Sequence, residues 1–180
     1  MKKYEEKTIS TKTIFEGKII KVRVDDVLLP NGETSKREIV EHPGAVAVLA
    51  VTDQNKIVLV EQYRKALEKS IIEIPAGKIE KNEDPMITAK RELEEETGYE
   101  AKEMNFLMSY YTSPGFADEI IYLYEAKGLR KLDNPEAGDE DEFVDVLEVS
   151  IEEALQLIKE QRIHDAKTIQ AIYYLMQKGD

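Results

Sequence analysis

Gly77–Tyr99 reads GKIEKNEDPMITAKRELEEETGY, a turn followed by a helix whose last turns carry Glu92, Glu94, Glu95 and Glu96. Each helical residue advances by about 100°, so Glu92, Glu95 and Glu96 share one narrow sector while Glu94 points to the opposite side. Like charges at i,i+4 cost roughly 0.2–0.5 kcal/mol per pair, so a positive partner is expected on that sector. An apolar stripe of Met86, Ala89 and Leu93 runs beside it and brings the three carboxylates to the core boundary. Asp84 is suited to cap the helix, Pro85 to occupy its first position and Gly98 to stop it. A short, fixed helix presenting carboxylates in a set geometry fits this pattern better than a solvated acidic face.

Gly77, five residues, Glu83, seven residues, and then Arg91-Glu92-Leu93-x-Glu95-Glu96-x-Gly98-Tyr99 resembles the Nudix box, GX5EX7REUXEEXGU with U apolar. Every fixed position is matched, Tyr99 being a slightly polar choice for the last. The resemblance implies an α/β fold, a Nudix-type α/β/α sandwich around a mixed sheet. It also implies an N-terminal antiparallel β region over residues 1–42 ahead of a hydrolase domain over 43–180.

Composition sets the frame for that expectation. The 180 residues are 42% hydrophobic and 34% charged, as in a folded globular chain of about one domain. The net charge of −12 argues against a broad nucleic-acid or anionic-membrane surface. With no cysteine there is no disulfide framework and no thiolate metal site. The N-terminal MKKYEEKTIS has no apolar core like that of a signal peptide, and no run approaches a membrane span. Cytoplasmic residence is the expectation.

Along the chain, Ile19–Leu29 and Thr34–Val40 read as a hairpin around Pro30-Asn31-Gly32. It either covers its own sheet or, as the resemblance implies, serves a homodimer. GAVAVLAV at Gly44–Val51 suits a strand buried on both faces, and Lys56–Tyr63 a second that ends at Arg64. Ile71–Ile74 delivers Pro75-Ala76-Gly77 into the glutamate helix. Met104–Thr112, Glu119–Ala126 and Phe143–Val149 read as later strands. Ser150 opens a helix through a capping box with Glu153. A last helix over His164–Gln177 sets Ile169, Ile172, Tyr173 and Met176 on one face. His42 and His164 read as structural.

Glu92, Glu95 and Glu96 are hard oxygen donors suited to Mg²⁺ or Mn²⁺, which would neutralise a diphosphate and activate a water. The resemblance implies two or three Mg²⁺ held by Glu92, Glu96 and Glu95 with the carbonyl of Ala76. Arg91 then orients the glutamates, and Glu83 has a structural or metal role. For a general base, some family members use the box itself. ADP-ribose pyrophosphatases use a loop before a late strand, where Glu142 is the first candidate here and Glu140 the second.

Ser113-Pro114-Gly115, fifteen residues past Gly98, with Glu119 following, resembles the marker of the ADP-ribose pyrophosphatase subfamily. Taken alone, Pro-Gly also suits a plain hairpin turn. The subfamily resemblance further implies that Arg64 grips the diphosphate, that Glu73 sits at a substrate position and that Arg37 reaches the adenosine end across a dimer. Arginine suits a diphosphate because its guanidinium makes paired hydrogen bonds to phosphate oxygens. The expected activity is Mg²⁺-dependent cleavage of ADP-ribose to AMP and ribose 5-phosphate. Its rivals are another nucleoside diphosphate derivative (a sugar nucleotide, a dinucleotide or a flavin cofactor) and a non-catalytic nucleotide-sensing domain. The partners expected are a small-molecule nucleoside diphosphate and a second copy of the chain, with no nucleic acid and no membrane.

Overall fold

The computed structural model describes residues 3–135, 138 and 143–178. It divides into two compact units, one of Met1–Gly44 with Tyr110–Ile120 and one of Ala45–Ser109 with Ile121–Asp180.

The first unit is a three-stranded antiparallel sheet, β1 (Lys7–Glu16), β2 (Lys21–Leu28) and β3 (Thr34–Glu41), in the order β1-β2-β3. The expected hairpin is β2 and β3, turning at Gly32, which stands at φ 87°. β1 was not foreseen. All ten of its residues are exposed, and a strand with no buried face leaves no alternation to read. Two register shifts, at Thr8/Ser10 and Thr13/Phe15, break its pairing with β2 further. The end of β3 is laced to the 110–120 segment, since Val40 N donates to Phe116 O at 2.8 Å and Asp118 N to Val40 O at 3.1 Å.

The second unit holds β4 (Ala45–Val51), β5 (Ile57–Arg64), β6 (Lys69–Glu73), β7 (Ala76–Lys78), α1 (Pro85–Thr97), β8 (Tyr99–Tyr111), β9 (Ile120–Lys131), β10 (Val144–Val149), α2 (Ile151–Lys159) and α3 (Ala166–Lys178); β8 and β9 run on into the first unit. The sheet is mixed, with order β10-β5-β4-β9-β8, and β4 runs parallel to β9. As its sequence suggested, β4 is buried on both faces. Val46, Val48 and Ala50 join Ala89 and Leu93 of α1 in one cluster, while the alternate residues Ala47 and Leu49 are equally inaccessible. Each large aliphatic side chain so buried contributes about 1.5–3 kcal/mol.

β4 and β5 part company along their length. They pair only at Ala50–Val51 with Ile57–Val58. Farther along, Ala45–Ala47 of β4 pairs with β7 instead, while Val60–Arg64 of β5 pairs with β6. The fork between these strands is the structural setting of the glutamate helix.

Two expected helix faces need correction. On α1, Met86 is 39% exposed and outside the core; the buried side is Thr88, Ala89, Glu92, Leu93, Glu96 and Thr97. The glutamates therefore do not lie beside the apolar stripe, because two of them are in it. On α3, Tyr173 and Met176 are exposed, and the inaccessible residues are Thr168, Ala171 and Ile172. That i, i+3, i+4 set lies one residue away from the expected face, and it was hidden because the threonine counted as polar.

Candidate active site

Local sequence fixes α1 in place. Asp84 Oδ1 accepts from Met86 N at 2.8 Å, Pro85 takes the first position, and Gly98 ends the helix at φ 70° with its N–H on Glu94 O. The last two turns then aim their carboxylates into the fork. Ala76 N of β7 donates to Glu96 Oε2 at 2.8 Å, and Gln62 Nε2 of β5 donates to Glu96 Oε1 at 3.4 Å. Glu92 lies against the backbone of Gly77. A Cβ there would stand 2.0 Å from the carboxylate carbon. Gly77 is not among the glycines with positive φ, so it is required at this position to leave room for Glu92.

The positive partner expected for the acidic sector is Arg91. Its Nε and Nη2 donate to the two oxygens of Glu83 at 3.3 and 3.2 Å, and Nη1 donates to Glu95 Oε2 at 2.8 Å. Nη1 also lies 2.9 Å from Glu92 Oε1. One guanidinium thus ties three carboxylates of the motif together. Burial opposes its charge, but the carboxylates outweigh that penalty and hold its pKa above the ordinary value. The Arg91 hydrogen bond keeps the Glu83 carboxyl below its ordinary range.

A second ionic cluster closes the far end of β5. Arg64 donates through Nε and Nη2 to Glu73 Oε1 and Oε2 at 3.0 and 2.5 Å. Glu73 is 2% exposed. Lys167 of α3 also donates to Glu73 Oε2, at 2.9 Å, and to Asp165 Oδ2 at 2.9 Å. Burial raises the Glu73 carboxyl, yet the hydrogen bond from Arg64 and the charge of Lys167 leave it below the ordinary value. Sequence reasoning named Arg64 and Glu73 as candidates, and the structure pairs them with each other; it did not name Lys167 and Asp165, which join that cluster, or Gln62, which meets Glu96. Gln62 was within reach, two residues before Arg64 on the same side of a strand. Lys167 carried no local signal, because it meets Glu73 only through the packing of α3.

Of the remaining expected residues, Arg37, Pro114, Gly115 and Glu119 belong to the first unit. Glu119 Oε2 accepts from Thr112 Oγ1 at 2.6 Å, and His42 Nε2 lies 3.8 Å from Glu119 Oε1. His42 Nδ1 accepts from Gly44 N, in keeping with a structural histidine. Pro114 and Gly115 form an exposed turn in which Phe116 N and Ala117 N both donate to Ser113 O. Arg37 is engaged within its own unit, donating to both oxygens of Glu6 at 2.8 and 2.6 Å and to Ser35 Oγ at 3.1 Å. Glu140 and Glu142 lie outside the described residues.

The donor set around the fork suits a hard divalent cation. It consists of the carboxylates of Glu92, Glu95 and Glu96 and the Ala76 backbone, all oxygen, and the space that a Gly77 Cβ would fill is given to a carboxylate. Among the described residues no three His, Cys, Asp or Glu side chains form a ready-made cage. Mg²⁺ does not need one, since it is held by one or two carboxylates, several waters and substrate phosphates. Among the described residues no helix is long and apolar enough to cross a membrane.

Comparison with known proteins covers nearly the whole chain. Residues 41–172 match the NUDIX domain, and residues 6–40 match the Nucleoside diphosphate sugar hydrolase N-terminal domain. The chain is 67% identical over 174 residues to the methanol dehydrogenase activator of Bacillus methanolicus, covering 97% of this chain and 94% of that one. It is 58% identical over 178 residues to the ADP-ribose pyrophosphatase of Bacillus subtilis strain 168, covering 99% and 96%. A crystal structure of an ADP compounds hydrolase superposes with a TM-score of 0.82 at 21% identity, over 96% of this chain and 93% of that one. This last likeness bears on the fold.

Proposed function

Because the chain belongs to the NUDIX domain family, we propose that it is a pyrophosphohydrolase that splits the diphosphate bond of ADP-ribose, releasing AMP and ribose 5-phosphate. The observation that carries this reading is the convergence of Glu92 and Glu96 on the fork between β4 and β5, with Arg91 bridging Glu83, Glu92 and Glu95. The substrate class is supported by the 58% identity to the Bacillus subtilis ADP-ribose pyrophosphatase.

Glu92, Glu95, Glu96 and the Ala76 carbonyl would hold Mg²⁺, two or three ions, with Mn²⁺ as a substitute. Bound there, the metal supplies charge neutralisation of the diphosphate and an acidified water. The chain's own residues do the rest. Arg91 holds the carboxylates apart and aimed, a preorganisation that needs no rearrangement during reaction. Arg64, anchored along one edge by Glu73, offers its remaining N–H groups to the diphosphate. Glu119, Pro114 and Gly115 are assigned to substrate binding, and Arg37 to the adenosine end in a homodimer formed through the N-terminal sheet. Glu142, or failing it Glu140, takes the proton from the attacking water.

Rates of AMP release with Mg²⁺ across ADP-ribose, sugar nucleotides, dinucleotides and flavin cofactors decide the substrate. If ADP-ribose does not rank among the best by kcat/KM, the substrate assignment falls. Glu96→Gln separates a catalyst from a nucleotide sensor, since undiminished turnover in that variant would defeat the metal-site reading. Separate Glu142→Gln and Glu140→Gln variants rank the two bases, and a larger loss at Glu140 reverses the order given. A solution mass near that of one 20.6 kDa chain rules out the homodimer.

The 67% identity to a methanol dehydrogenase activator favours a second reading, in which the chain raises the rate of a dehydrogenase. Adding wild type and Glu96→Gln to a methanol dehydrogenase assay separates activation by hydrolysis from activation by contact.

A further inference from the structure

The Arg64 cluster is built from both ends of the second unit. Glu73 is fully buried and stands between two cations, and its Oε2 is shared by Arg64 Nη2 at 2.5 Å and Lys167 Nζ at 2.9 Å. Lys167 is in turn fixed by Asp165, whose other oxygen is buried and makes no hydrogen bond. The side chain of Lys167 is 12% exposed and that of Arg64 is 40% exposed. Only the arginine is therefore placed to meet a ligand.

The charges show what Lys167 adds. With it, the two carboxylates of Glu73 and Asp165 face the two cations Arg64 and Lys167 and these four groups balance, while Glu96 adds a further negative charge within reach of Arg64. Without it, Arg64 would sit beside an uncompensated negative charge that cancels its attraction for an anion, and the full strength of a buried carboxylate would pull on its guanidinium. A buried charge left with one partner fewer is costly, and Arg64 is the group free to move in response.

We infer that Lys167 is a positioning residue for substrate: by sharing Glu73 and balancing Asp165, it keeps the guanidinium of Arg64 extended and charge-available for the diphosphate. The inference rests on the reading that Arg64 grips that diphosphate. It assigns α3, which carries none of the motif, a part in binding. Lys167 touches no reacting atom, so its loss weakens ground state and transition state alike, which appears in KM and not in kcat.

The test is a double-mutant cycle on the full chain with ADP-ribose and Mg²⁺. Lys167→Met is expected to raise KM about tenfold, the effect of one ordinary interaction, with kcat changed less than about twofold. Lys167→Arg, which keeps the charge, restores KM. In an Arg64→Ala background, Lys167→Met adds nothing further, because the group it acts through is gone. Should Lys167→Met lack a cooperative melt, Lys167→Gln, which loses the charge but keeps a donor, replaces it in the cycle. An unchanged KM in the single variant, or an equal rise in KM with and without Arg64, overturns the inference. If ADP-ribose proves a poor substrate for wild type, the substrate reading fails on that measurement alone. The cycle is then run on the best nucleoside diphosphate derivative, with the same outcomes.

Discussion

Gly77→Ala isolates the geometry of the acidic site from the stability of the fold. The added methyl would stand 2.0 Å from the Glu92 carboxylate carbon and Oε1 and 2.2 Å from Oε2. Ordinary contact begins at about 3.5 Å, so the carboxylate must retreat by roughly 1.5 Å. The atoms in the way are the far end of a flexible side chain, and the Gly77 backbone is not in the left-handed region. The fold can therefore absorb the change, and loss of glycine's freedom in the unfolded chain returns about 0.4–1 kcal/mol. Misplacing a site group by about 1 Å can cost 100-fold in rate. The expected result is a fall in kcat for AMP release of about 100-fold or more, with Tm within about 2 °C of wild type. Steady-state kinetics and a thermal melt on the same preparation measure both. A kcat within about fivefold of wild type would refute the reasoning, since Glu92 would then work equally well from a displaced position. A collapse in Tm would show that the backbone, and not the carboxylate, gives way.

Arg91→Ala removes a guanidinium with three carboxylate partners, 25% exposed. A loss of about 2 kcal/mol, in the range for hydrogen bonds to charged groups, would lower Tm by about 4–8 °C; Arg91→Lys, with no planar fork, should rescue less than half of that. Acid titration of stability tests the second cluster. The Glu73 carboxyl lies below its ordinary value of 4.5 in the folded state, so its contribution is complete above that pH and is lost as pH falls through the lower folded value. Arg64→Ala removes the hydrogen bond that depresses it and leaves burial to raise it, so folded and unfolded values converge and less stability should be lost on acidification in a urea-denaturation series; an unchanged acid loss would count against the pairing. Glu73→Gln should leave Lys167 and Asp165 paired and raise KM for ADP-ribose more than it lowers kcat, as read from initial rates.

The sequence was most informative where function is local in the chain. The cap at Asp84, the stop at Gly98 and the sector of Glu92, Glu95 and Glu96 all belong to one helix and its ends, and residue type with helical periodicity was enough to read them. The double burial of β4 was legible because seven successive residues are apolar. What escaped was set by packing across the chain. Glu96 meets Gln62 and Ala76, and Glu73 meets Lys167, through pairings that no local spacing records. β1 escaped for the opposite reason, since a fully exposed strand has no hydrophobic period to detect. The depth at which Glu92 and Glu96 are buried also went unread, because a glutamate within the core differs in sequence from one at its boundary only once its partner is known.

The parallel pairing of Ala45–Ala50 with Ile121–Ala126 also sets an order of events in time. α1 can form from its own residues as soon as they are free, whereas β4 gains its parallel neighbour only after the whole of β5–β8 has been made. Closing so long a loop is slow, so the helix with its carboxylates should precede the floor on which they are aligned. A chain cut short before Ile121 would carry every residue of the acidic motif yet leave one side of β4 unpaired. Such a fragment would be expected to aggregate through that open edge before it could turn over substrate.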